Sequence, residues 1–92
     1  MDKIYINSDF YAKWVVDEDV SADTITIEYT KPNGAVTTGL APTSVVENVI
    51  RYDVPRAQNT QAGTWKLQAK VIKSGLLYFT QTIFIVIHER FT

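Results

Sequence analysis

One histidine, His88, four scattered serines and a knot of carboxylates are the side chains of this 92-residue sequence whose types could do chemistry. A hydrolytic triad needs a serine nucleophile, an imidazole to take its proton and a carboxylate to orient the imidazole. None of Ser8, Ser21, Ser44 and Ser74 sits in a nucleophile motif. His88 falls near the end of the last apolar run, where it reads as an ordinary strand-end histidine. A zinc site needs three or four nitrogen or sulfur ligands, and one histidine with no cysteine leaves too few.

The stretch "DEDVSAD" holds Asp17, Glu18, Asp19 and Asp23, a set of hard oxygen donors of the kind calcium takes. It lacks the spacing and the glycine of an EF-hand loop and reads as a solvated turn. Gly34, Gly39, Gly63 and Gly75 are isolated turn glycines, so there is no phosphate-cradling loop. No catalytic residue, no metal and no cofactor is expected.

Nine basic groups against ten acidic ones give a net charge of −1, which is not the footprint of a nucleic-acid binder. Lys66, Lys70 and Lys73 with Tyr78 or Phe79 would make at most a weak stacking patch, and these lysines read as solubilising one sheet face. The charge is polarised. Residues 1–30 hold seven acids against two lysines, and residues 61–92 hold four basic groups against Glu89. A head-to-tail contact would use that polarity; a mixed, solvated surface is the simpler reading. The start "MDKIY" shows no secretory signal. The apolar run near the end is interrupted by Thr80, Gln81 and Thr82 and is too short to cross a bilayer. A chain made and folded in a cytoplasm, without disulfides and without a membrane partner, is the expectation.

The elements that position these residues read as strands. "TITIEYT", residues 24–30, alternates Ile25, Ile27 and Tyr29 against threonine and glutamate, the period of a half-buried strand. "KPNG" then supplies turn residues and "AVTT" starts the return. "KIYIN" and "DFYAKWVV" are upstream candidates, and "ENVIRYDV" runs to a stop at Pro55. In "AGTWKLQAKV", residues 62–71, the inward set is Trp65, Leu67, Ala69 and Val71. "KSG" turns the chain into a last long strand from Leu77 to about His88. Seven strands and no helical period predict an all-β, seven-stranded antiparallel immunoglobulin-like sandwich spanning residues 1–92 as one domain, with a barrel as the structural alternative. Trp14, Ile27, Trp65 and Leu67 are its expected core. Trp65 takes the aromatic place of an immunoglobulin strand F and Leu67 the place of its cysteine, so packing substitutes for the cross-link.

The succession "IEYTKPNG", "RYDV" and "AGTWKLQAKV", followed by a glycine turn and a final apolar strand, resembles the small immunoglobulin-like modules of tailed-bacteriophage virions. The likeness covers about residues 24–88. It implies a structural, non-enzymatic role as an accessory assembly or decoration component, a place in the virion after synthesis in the host cytoplasm, and other virion proteins as partners. The family has no catalytic residues to carry over.

The final run, "LLYFTQTIFIVIHERF", is apolar on both alternating faces through residues 83–87. As one strand it divides into Leu77, Phe79, Gln81, Ile83, Ile85 and Ile87, expected to fill the core, and Tyr78, Thr80, Thr82, Phe84, Val86 and His88. Either a bulge turns both sets inward, or the second set is covered by another subunit. Phe84 and Val86, with Phe91 extending the patch, are therefore the candidate interface of a homo-oligomer or of a larger assembly. From a different class, Tyr5, Tyr11 and Tyr52 are candidate aromatics for a carbohydrate or receptor site, which needs them exposed and grouped.

Overall fold

The computed structural model describes residues 3–90. Nine strands and no helix occur among them: β1 (Ile4–Tyr5), β2 (Phe10–Val15), β3 (Thr24–Thr30), β4 (Val36–Leu40), β5 (Ser44–Val46), β6 (Val49–Val54), β7 (Gly63–Lys73), β8 (Leu76–Phe79) and β9 (Ile83–His88). β-branched and aromatic residues fill these segments, as suits a pleated, half-buried surface. One sheet runs in the order β4, β3, β7, β9, β1, and β8 pairs with the far half of β7. The other runs β2, β6, β5.

Two differences from expectation follow from pairing. The seven expected strands become nine because Ser44–Val46 forms a short strand on β6 and because the final run breaks into β8 and β9. The fold is also not wholly antiparallel, since β1 lies parallel to β9 with Ile4 opposite Ile87. The "KIYIN" strand shortens to Ile4–Tyr5 because Asn7 turns the chain at φ +64° and its N–H bonds to the carbonyl of Asn59.

The sheets pack face to face over one core. Alternation in β2 buries Phe10, Ala12 and Trp14, and β6 contributes Ile50 and Val54. From the larger sheet come Ile25, Ile27 and Tyr29 on β3 and Trp65, Leu67, Ala69 and Val71 on β7. The four expected core residues Trp14, Ile27, Trp65 and Leu67 are all buried. Trp65 is the hub: Phe10 meets it edge-on across the layers, with centroids 5.4 Å apart, and Tyr29 leans on it at 5.2 Å. Its indole N–H donates to the Gln61 carbonyl at 3.0 Å, so its burial leaves no stranded donor. Burying each such large apolar side chain stabilises the fold by about 1.5–3 kcal/mol.

One buried polar residue ties the ends together. Asn59 donates through Nδ2 to the carbonyls of Tyr5 and Ser8, both at 2.9 Å, clamping the β1–β2 link to the loop before β7. Two carbonyls of that link are thereby bonded by a buried side chain, while Asn59 Oδ1 has no partner among the described residues.

Candidate interaction surface

A single extra residue positions this surface. On β7 and β8, Lys70 stands opposite Phe79; on β7 and β9, Leu67 stands opposite Ile83. Two residues of β7, Gln68 and Ala69, therefore face three on the other strand, Thr80, Gln81 and Thr82. That is a β-bulge, and one added residue moves every later side chain to the opposite face. Side-chain and backbone bonds pin it. Thr80 N–H donates to the Ala69 carbonyl at 3.0 Å, Ala69 N–H donates to Thr80 Oγ1 at 3.0 Å, and the Gln68 amide donates to the Thr80 carbonyl at 2.8 Å. From the other sheet, the Trp14 indole N–H donates to the Gln81 carbonyl at 2.8 Å.

The two parity sets of the final run are consequently spliced rather than kept. Leu77 and Phe79, expected in the core, are 53% and 57% exposed and lie on the outer face, opposite Ile72 and Lys70. Beyond the bulge the inward set is Ile83, Ile85 and Ile87 as expected, and Phe84 and Val86 lie outward at 62% and 52% exposed. Neither arm of the bulge turns Phe84 or Val86 inward. Ile72, Leu77, Phe79, Phe84 and Val86 thus line one outer face of one sheet. Phe91 lies outside the described residues. Ile72, Leu77 and Phe79 were missed by alternation alone; the polar interruption "TQT" within an apolar run is the signal that marks the splice.

Lysines border the stripe. Lys66 stands directly opposite Phe84 and Lys70 opposite Phe79, while Thr64 faces Val86. The third lysine, Lys73, turns to the other side and meets the acidic loop: Nζ is 3.4 Å from Asp23, 3.7 Å from Glu18 and 3.1 Å from the Asp19 carbonyl. The hydrogen bond to Asp23 is the main cause that raises the Lys73 pKa. Asp19 accepts from both the N–H and the hydroxyl of Ser21, which holds its carboxyl below the ordinary range. Glu18, Asp19 and Asp23 of "DEDVSAD" are thus engaged with a lysine and a turn, and among the described residues no three histidine, cysteine or acidic side chains gather as a metal-holding group.

The backbone edge of β8 is set by its turn. Ser74 and Gly75 have φ of +53° and +80°, the signs of a two-residue type I′ hairpin turn. The flanking pair Lys73 and Leu76 is then hydrogen-bonded, and pairs alternate along the ladder. Tyr78 bonds back to Val71, and Leu77 and Phe79 direct their N–H and C=O groups away from β7. The bond from Thr80 N–H to Ala69 keeps the same phase. Each of Leu76, Leu77, Tyr78 and Phe79 is more than half exposed.

The remaining candidates are dispersed. His88 sits 6.0 Å from the Tyr5 ring, centroid to centroid, and Ser8 Oγ donates to the Tyr5 carbonyl. Tyr11 points out from the smaller sheet beneath Arg51, whose guanidinium carbon is 4.1 Å from the ring centre. Tyr52 packs against the core, and burial pushes its phenol pKa up. Tyr5, Tyr11 and Tyr52 therefore do not share one exposed face. Comparison with protein-family models, with curated proteins and with solved structures yields no match.

Proposed function

We propose that this chain is a non-enzymatic structural component of a tailed-bacteriophage virion, an accessory assembly or decoration protein that joins other virion proteins through the outer face of its larger sheet. The observation that carries the reading is the exposed apolar stripe of Ile72, Leu77, Phe79, Phe84 and Val86. Apolar surface of this kind on a small domain marks a contact site, because a partner would recover roughly half of the about 1.5–3 kcal/mol that full burial of each large side chain is worth, these residues being 40–62% exposed. The strand order supports an immunoglobulin-like form of the fold: β2, β6 and β5 fall in the places of strands B, E and D, and β3, β7 and β9 in those of C, F and G. Such modules supply a rigid frame that presents a face, and here the face is the side carrying Phe84 and Val86.

The test is incorporation into particles. Tagged wild-type protein, added during assembly, is expected to co-purify with virions, and a Phe84→Ser/Val86→Ser variant that stays folded is expected to be left out. Equal incorporation of the two would overturn the reading.

A further inference from the structure

We infer that β8 pairs antiparallel with β8 of a second copy of this chain, extending the larger sheet across a two-fold axis through Tyr78. The inference deepens the assembly reading by naming one partner, and it rests on that reading only for the use of the resulting dimer. Edge strands are ordinarily guarded by lysine, proline, a bulge, shortness or a covering element; β8 is four residues long, and its bulge begins only at Thr80, past the two residues whose groups face outward. β8 is Leu-Leu-Tyr-Phe, with no charge and no proline, and among the described residues β7 is its sole strand partner.

The backbone is self-complementary. Leu77 and Phe79 carry the groups that point away from β7, and they are two residues apart. With the axis at Tyr78, Leu77 of one copy stands opposite Phe79 of the other, and each pair exchanges both of its N–H to C=O bonds. An axis perpendicular to the sheet keeps outer faces together. Leu77 and Phe79 of each copy then meet their counterparts side by side, and the two apolar stripes merge into one band.

Charge at this contact is mixed and does not oppose the placement. The same register sets the Ser74–Gly75 turn of one copy beside Gln81 and Thr82 of its partner. Those two residues line a groove of about 530 Å³ together with Lys13, Trp14, Asp17 and Phe84. Glu18 and Asp23 are held at that turn by Lys73. The Lys73-bridged acidic loop of each copy is thus carried toward a groove that holds one cation, Lys13, and one anion, Asp17, of the other. A like-charge clash does not arise along β8 itself, since its four residues are uncharged.

Strand pairing with two seated turns falls at the small end of specific interfaces, below about 800 Å² per partner, so the dimer is expected to form in the micromolar range. Sedimentation equilibrium of the purified chain from about 1 µM to about 1 mM spans that range. Wild type is expected to pass from monomer to dimer. Leu77→Pro removes one edge N–H and no bond to β7, and it is expected to weaken the dimer at least about tenfold. Leu77→Lys, which guards the edge with a charge, provides the same loss should the proline variant not fold. Lys13→Glu is expected to weaken the dimer and Val86→Ser, outside the groove, to leave it intact. A wild-type monomer throughout, or a dimer unaffected by both folded Leu77 variants, overturns the inference. Because Val86→Ser alters the virion contact and lies outside the dimer groove, failure of one reading is distinguishable from failure of the other.

Discussion

The indole nitrogen of Trp14 donates to the carbonyl of Gln81 at 2.8 Å, joining β2 of the smaller sheet to the bulge between β8 and β9. The bulge is what places Leu77, Phe79, Phe84 and Val86 on one face, so a core tryptophan of one layer secures the surface chemistry of the other. Trp14→Phe keeps most of the aromatic packing and removes only the donor. It is expected to cost about 0.5–1.5 kcal/mol in urea unfolding, the net worth of one hydrogen bond, since the Gln81 carbonyl keeps a longer bond from Thr80 Oγ1 at 3.4 Å. Amide exchange at Ile83 should speed up as the bulge loosens.

Stability and binding should separate. Phe84→Ser and Val86→Ser alter exposed positions and are each expected to shift unfolding free energy by no more than about 0.5 kcal/mol. Leu67→Ala, at a fully buried position, is expected to cost about 2–5 kcal/mol. Equilibrium denaturation of the three variants checks the contrast.

Gly63 begins β7 with φ +125°, and a Cβ there would meet Pro32 side-chain atoms at 2.9 Å. Pro32 belongs to the β3–β4 turn, where Gly34 N–H bonds to the Lys31 carbonyl at 2.9 Å. Gly63→Ala must therefore strain its own backbone and push that turn. A loss of at least about 1 kcal/mol is expected by thermal unfolding, larger than for a helix-compatible glycine.

Acid should weaken the fold at an identifiable pair. Hydrogen bonds from the Arg56 side chain and backbone lower the Asp9 pKa below 3.8, with the guanidinium 3.0 Å from the carboxylate. A carboxylate whose folded pKa is depressed contributes stability that is present above its unfolded value and lost as pH falls through the folded one. Both groups are exposed, so the effect is small. Thermal midpoints of wild type and Asp9→Asn measured from pH 6 to about pH 2 should converge at the acid end. Lys73 works with the opposite sign: its raised pKa means that its contribution is present below 10.5 and lost as pH rises through the folded value.

Period-2 alternation is a local property, so it was legible wherever a strand stays in one register. The inward sets of β3 and β7 and the core residues Trp14, Ile27, Trp65 and Leu67 follow from it, because each side chain's face depends only on its neighbours along the chain. Phe84 and Val86 were legible for the same reason. Leu77 and Phe79 were not. Their face depends on how many residues of the final run stand against Gln68 and Ala69, a number decided by hydrogen bonds to β7 and by Trp14 reaching across from β2. The parallel pairing of β1 with β9 is likewise a matter of contacts made far along the chain, through Asn59. Composition and alternation by themselves determined an all-β chain with an apolar excess on its last strands; tertiary pairing alone decided that the excess forms one exposed stripe, because a one-residue bulge is energetically defined only against the strand it bulges from.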